Sequence, residues 1–230
     1  VIAGGGSLLT VPFMIFMGLL GPVANGTNRI AIIAQNITAV GAFVRNGLSD
    51  FRLSVTLAVA ASIGAWFGAQ VGVRLDGAAF NYVVAAVMIA VLVLMATGED
   101  KAKPRPDASS KAKNLAAGHL LMVGAGFWGG FIQIGVGFLI MPILYRVMGL
   151  DLVRTNMHKV FIALVFSFVA LWVFASKAPI AWDAGAALAV GNAIGGWMGA
   201  HATLTRGETF IKRALFAVLI AMAVKLIFFP

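Results

Sequence analysis

The chain contains no cysteine. Disulfides and thiolate metal sites are therefore excluded. It is also poor in acid: 8 Asp and Glu stand against 17 Lys and Arg. The acids are Asp50, Asp76, Glu99, Asp100, Asp107, Asp151, Asp183 and Glu208, and each falls between apolar runs or at the end of one. A proton relay through a buried carboxylate needs an acid inside a span, and none lies mid-span. His158 and His201 are two groups in or beside spans of a type that titrates near neutrality. The sequence also lacks a His-x-x-x-His pair, an acidic cluster, a Ser–His–Asp motif and a Gly-x-x-x-x-Gly-Lys-[Ser/Thr] loop. Metal chemistry, triad hydrolysis and nucleotide-driven transport by this chain lose their usual signatures. We expect neither an enzyme nor a bound cofactor or metal.

Charge itself is scarce, at 11% of residues, while 61% are hydrophobic. A soluble domain is roughly a quarter charged. So little polar surface cannot cover a globule in water, so most of the solvent must be lipid. The net charge of +9 would suggest nucleic acid in a soluble protein. Here the cations lie in loops and at span ends, the usual membrane pattern, and no nucleic-acid partner is expected. The first residue is Val and the first apolar stretch begins abruptly, which reads as a chain lacking N-terminal residues.

What the sequence does have is a repeat of itself. Ile63-Gly-Ala-Trp-Phe-Gly-Ala-Gln70 returns 131 positions later as Ile194-Gly-Gly-Trp-Met-Gly-Ala-His201. Gly4-Gly-Gly-Ser-Leu-Leu-Thr-Val-Pro12 is matched by Gly135-Val-Gly-Phe-Leu-Ile-Met-Pro142, and Thr27-Asn28 by Thr155-Asn156. Internal repeats in hydrophobic spans are the common build of transporters.

Apolar runs fall at about 7–20, 29–44, 53–73, 79–97, 115–134, 136–149, 155–175, 181–203 and 209–229. Several reach the roughly 20 residues that cross a hydrocarbon core of about 30 Å. The runs at 7–20 and 136–149 are short, follow Gly clusters and contain Pro, features that weaken a continuous helix. Such interrupted segments at matching places in two halves point to a transport site. The expected fold is an all-α polytopic membrane bundle of two repeats with Gly/Pro-broken half-helices. Residues 1–98 form the first repeat, without a counterpart of the span at 115–134. Residues 99–114 form a polar linker carrying Lys101, Lys103, Arg105, Lys111 and Lys113, which places it in the cytoplasm. Residues 115–230 form the second repeat. If each Gly-rich break is a hairpin of two half-spans, a full copy has five membrane segments and the second copy is inverted. The loops near 46–52, 146–154 and 204–213 then face inward with Arg45, Arg52, Arg146, Arg154, Arg206, Lys212 and Arg213. The outside loops near 21–28, 74–78 and 176–181 carry Arg74, Lys177 and, at an edge, Arg29. That bias favours inversion over parallel repeats. The protein is expected to be multi-pass in the cell (inner) membrane.

Candidate site residues follow from the breaks. A helix N-terminus exposes free N–H groups and about half a positive charge. Glycine lets an anion approach that backbone closely. Gly5, Gly6 and Ser7 open the first short segment, and Gly135 and Gly137 the second. The competing role for such glycines is close helix packing. Asn28 and Asn156 stand at the start of the next run, either capping it or donating to an anion; Thr27 and Thr155 read as its N-caps. Gln35, Asn36, Gln133 and Asn192 are amides inside apolar runs, costly in lipid unless they face protein or a wet cavity. Gln133, immediately before the second break, is the preferred substrate contact among them. His158, Lys159 and His201 are candidates for anion attraction or coupling, against snorkelling or packing. Trp66 and Trp197 read as packing or interface residues.

The Gly4–Pro12 run, its second copy at Gly135–Pro142, the polar linker and the paired Ile-Gly-x-Trp-x-Gly-Ala stretches together resemble the sulfite exporter TauE/SafE family over nearly the whole chain. The second copy departs from the first at Val136, which replaces the middle Gly. The resemblance implies a permease for small sulfur-containing anions such as sulfite, thiosulfate or organosulfonates; the paired Gly-rich breaks suggest binding at helix N-termini near the midplane. A secondary carrier is the leading expectation, a channel-like anion pore the alternative. The expected partners are a small anion and the lipid bilayer, with an oligomer possible.

Overall fold

The computed structural model describes residues 6–47, 50–75, 77–97, 112–194, 216–222 and 224–225. In chain order the helices are α1 (Gly6–Phe16), α2 (Gly21–Arg45), α3 (Phe51–Gly72), α4 (Gly77–Thr97), α5 (Leu115–Phe131), α6 (Val136–Pro142) and α7 (Leu152–Lys177). A π-helical turn, Ile143–Val147, continues α6 directly after Pro142. Residues 182–194 and 216–222 are also helical. Among the described residues there is no strand. The protein is an all-α membrane bundle. Among the described residues, α3 and α7 are the helices both long and apolar enough to cross a bilayer by length and composition.

Halves of the sequence interleave. α2 and α3 pack against α7, and α3 also packs along α5. The α3–α5 seam is made of small residues. A Cβ on Gly64, Gly68 or Gly72 would collide with the main-chain oxygens of Val123, Phe127 and Phe131. A Cβ on Gly126 or Gly130 would collide in turn with those of Ala61 and Ala65. Repeats of a small residue every fourth position place one smooth stripe on each helix and let the backbones touch. Packing is thus the observed role of Gly64 and Gly68 in the first Ile-Gly-x-Trp-x-Gly-Ala stretch. Its Trp66 is part-exposed on the opposite side. Trp197 lies outside the described residues.

Two expectations about span starts are corrected. Residues 21–28 are not a loop but the first two turns of α2, and the turn before it is confined to 17–20. Pro22 sits near its N-terminus, where a missing N–H costs nothing, and Leu20 holds the cap position. Thr27 and Thr155 are therefore not N-caps. Thr27 is fully buried inside α2, where its hydroxyl accepts from the Ala181 N–H at 3.1 Å. The cap of α7 is Asp151, whose carboxylate accepts from the Arg154 N–H at 2.9 Å. The loop expected at 146–154 is correspondingly short, 148–151. Residues 99–111 of the linker and the loop at 204–213 lie outside the described residues.

Candidate functional site

The site is organised by the break between α5 and α6. α5 ends at Phe131, and Gln133 and Gly135 both adopt positive φ, 61° and 73°. Glycine takes that conformation freely, but for Gln it is uncommon and needs external support. Ile132 and Ile134 are fully buried in an apolar cluster with Leu8, Val11, Phe80, Val84 and Met88 of α1 and α4. Gln133, between them, lines the cavity described below. The Trp128 indole N–H donates to the Ile134 carbonyl at 2.9 Å, tying the break back onto α5.

A helix that ends inside protein leaves its last carbonyls without helical partners. In lipid those groups must be satisfied internally. Asn25 and Arg29, one turn apart on α2, do this. The Asn25 amide donates to the Phe131 carbonyl at 2.8 Å. Arg29 Nη1 donates to the Gly129 carbonyl at 3.1 Å and to Gln133 Oε1 at 3.0 Å. Arg29 Nη2 donates to the Gly130 carbonyl at 2.6 Å. A cation here also meets the negative end of the helix dipole. The guanidinium lies 4.9 Å from the Phe174 ring centroid, a cation–π distance. Placing Arg29 at the edge of an outside loop is thus overturned: the side chain is 0% exposed.

Beside the break lies a cavity of about 60 Å³, lined among others by Gly6, Ser7, Gln35, Gln133, Gly137 and Lys159. It brings together the first turn of α1, the first turn of α6 and the first half of α7. Among the described residues, the lining carries one ammonium, the amides of Gln35, Asn36 and Gln133, the Ser7 hydroxyl and no carboxylate. Lys159 Nζ donates to Asn156 Oδ1 at 2.7 Å and lies 3.9 Å from the Met141 sulfur. At about 10–15 Å³ per water-sized group, the space takes roughly four to six such groups.

Other candidates are placed elsewhere. Asn156 does not line the cavity but holds the ammonium that does. Asn28 is buried in α2, where its Oδ1 accepts from the Thr10 hydroxyl at 2.6 Å and ties α1 to α2. Gly135 turns the chain; a Cβ there would face Val87 and Val91 of α4, away from the cavity. His158 follows the helical rotation away from Lys159. Its Nδ1 meets the Ser54 hydroxyl of α3 at 2.8 Å. Gly5 and His201 lie outside the described residues. Arg29, Asn25 and Ser54 were not singled out as site residues from the sequence. The available signal was the stretch Asn25-Gly-Thr-Asn-Arg29, whose Asn25 and Arg29 share a helix face once it is read as helix.

The model of the sulfite exporter TauE/SafE family matches residues 1–226. A protein of Sinorhizobium sp. named probable membrane transporter protein ORF9 is 23% identical over 229 residues, covering 100% of this chain and 87% of that protein. A probable membrane transporter protein of Haemophilus influenzae is 23% identical, covering 99% and 88%. The probable membrane transporter protein YfcA of Escherichia coli is 24% identical, covering 99% and 84%. No solved structure gives a significant match. A family match over almost the whole chain, on an all-α bundle with a polar cavity at a broken helix, makes this a membrane transporter and not an enzyme: the chain belongs to the sulfite exporter TauE/SafE family.

Proposed function

We propose that the chain is a multi-pass secondary carrier of the inner membrane for small sulfur-containing anions, and that the cavity beside the α5–α6 break binds them. The observation that carries this reading is the lining: the Lys159 ammonium, three amides and a hydroxyl, with no carboxylate among the described residues. Such a set attracts an anion and offers it donors from several sides. The first turns of α1 and α6 border the cavity and add the positive ends of their helix dipoles. The volume suits sulfite or thiosulfate, with four and five non-hydrogen atoms, and disfavours long organosulfonates. We further read residues 1–98 and 115–230 as inverted repeats, with α2 and α7 as counterparts that cross at the centre. Breaks at equivalent places then meet beside one shared cavity.

The test is transport by purified protein in liposomes with labelled sulfite, thiosulfate and methanesulfonate. The carrier reading expects saturable uptake of at least one anion, accelerated by trapped unlabelled anion. No uptake of any of the three by folded protein contradicts the reading. Uptake without counterflow, together with single-channel current, replaces the carrier by a pore.

A further inference from the structure

Arginine has five N–H donors and no acceptor. The Gln133 atom that meets Arg29 Nη1 at 3.0 Å is therefore the amide oxygen. The amide NH2 is left as the other arm of a side chain that lines the cavity. We infer that Arg29 is a positioning residue for anion selectivity: it holds the Gln133 amide in the one orientation that turns its N–H donors, and not its carbonyl, toward the substrate. The inference rests on the cavity being the anion site.

Three observations support it. First, Arg29 cannot follow a moving amide. Its two terminal nitrogens are engaged by Gly129 and Gly130, and its guanidinium carbon lies over the Phe174 ring, 4.9 Å from the centroid. Second, Gln133 cannot move as a segment. Its φ of 61° is fixed between Ile132 and Ile134, both 0% exposed on the opposite side. Third, the alternative orientation is costly on both sides. A flipped amide would aim its NH2 at guanidinium donors and its oxygen at the bound anion, leaving buried groups unpaired. A free glutamine presents either end to a ligand; a clamped one discriminates by charge and by donor pattern. Arg29 thus supports recognition without touching the anion, while the same contacts cap α5.

Transport kinetics and sulfite-induced thermal stabilisation of variants separate this role from capping alone. Gln133→Glu keeps an acceptor for Arg29 but replaces the NH2 by an anionic oxygen. The expected result is a KM for sulfite raised by at least about tenfold, the loss of one charge-assisted hydrogen bond, with kcat changed less and the variant as thermostable as the natural protein. Arg29→Lys is measured alone and in a Gln133→Ala background. If Arg29 acts through Gln133, it raises KM about tenfold alone and less than about twofold in the double variant. A KM for Gln133→Glu within twofold of the natural protein, or equal Arg29→Lys effects in both backgrounds, overturns the inference while leaving the cavity reading intact. If Arg29→Lys does not fold, Gln133→Glu decides alone. A natural protein that neither transports sulfite, thiosulfate or methanesulfonate nor is stabilised by them overturns the cavity reading and this inference together.

Discussion

Glycine serves opposite ends in two regions of this molecule. Along the α3–α5 seam, Gly64, Gly68, Gly126 and Gly130 are absences of a side chain, filled by the neighbouring helix's backbone. Around the cavity, the nearest atom to a Cβ on Gly6 is Gln35 Oε1 at 3.9 Å, and Gly135 is required by its φ of 73°. The seam is rigid because nothing fits into it. The cavity exists because the chain is broken beside it, and polar side chains line it. One residue type therefore gives both the scaffold and the opening, and only the neighbours distinguish the two.

The largest effect should come from filling the seam. Gly126→Val puts three carbons against the Ala61 carbonyl, and backbone cannot yield as a side chain can. Overpacking of ordinary cores costs about 1–3 kcal/mol; here we expect more, read as loss of the monodisperse detergent-solubilised peak. A well-folded Gly126→Val protein would break the comparison at once. Next, Lys159→Met should leave that peak intact and lower kcat/KM for sulfite by roughly tenfold to a hundredfold, the loss of a charged hydrogen bond of about 1.5–3 kcal/mol. Retained transport would remove the ammonium from the site. Gly6→Ala should fold normally and change KM only a few-fold, since a methyl meets Gln35 Oε1 at ordinary contact distance. A collapse of stability there would turn Gly6 into a packing glycine. The smallest effect belongs to Gly124→Ala. Gly124 lies on α5 two residues from Gly126 but faces open space, and alanine should raise thermal stability slightly, by roughly 0.5–1 kcal/mol at most. A strong loss would show that its face is covered.

Hydropathy made the class and most span positions legible. α3, α4 and α5 begin within two residues of the expected runs, because those helices are apolar over most of their length. α2 was not, and the reason is physical. Asn25, Thr27, Asn28 and Arg29 read as loop on a hydropathy scale, which weighs each residue against lipid or water. Their surroundings are neither. They face helix ends and other side chains, with Asn25 and Arg29 on the α5 carbonyls and Thr27 on the Ala181 N–H. The partners of Asn25, Thr27 and Arg29 lie about a hundred residues away or more, so no local pattern announces them. The paired Gly/Pro breaks did point to the segments that border the cavity. Which side chains enter it depended on helix rotation: Lys159 lines it, while the adjacent His158 turns to α3.

The account's central claim is that an anion sits beside the α5–α6 break. The most direct measurement is a structure of the protein with selenite, a heavier analogue of sulfite, located by anomalous scattering at a concentration that saturates competition for sulfite uptake. The account predicts one strong peak in the cavity, within hydrogen-bond reach of Lys159 Nζ and the Gln133 amide nitrogen. A peak elsewhere, or an empty cavity under those conditions, would contradict it.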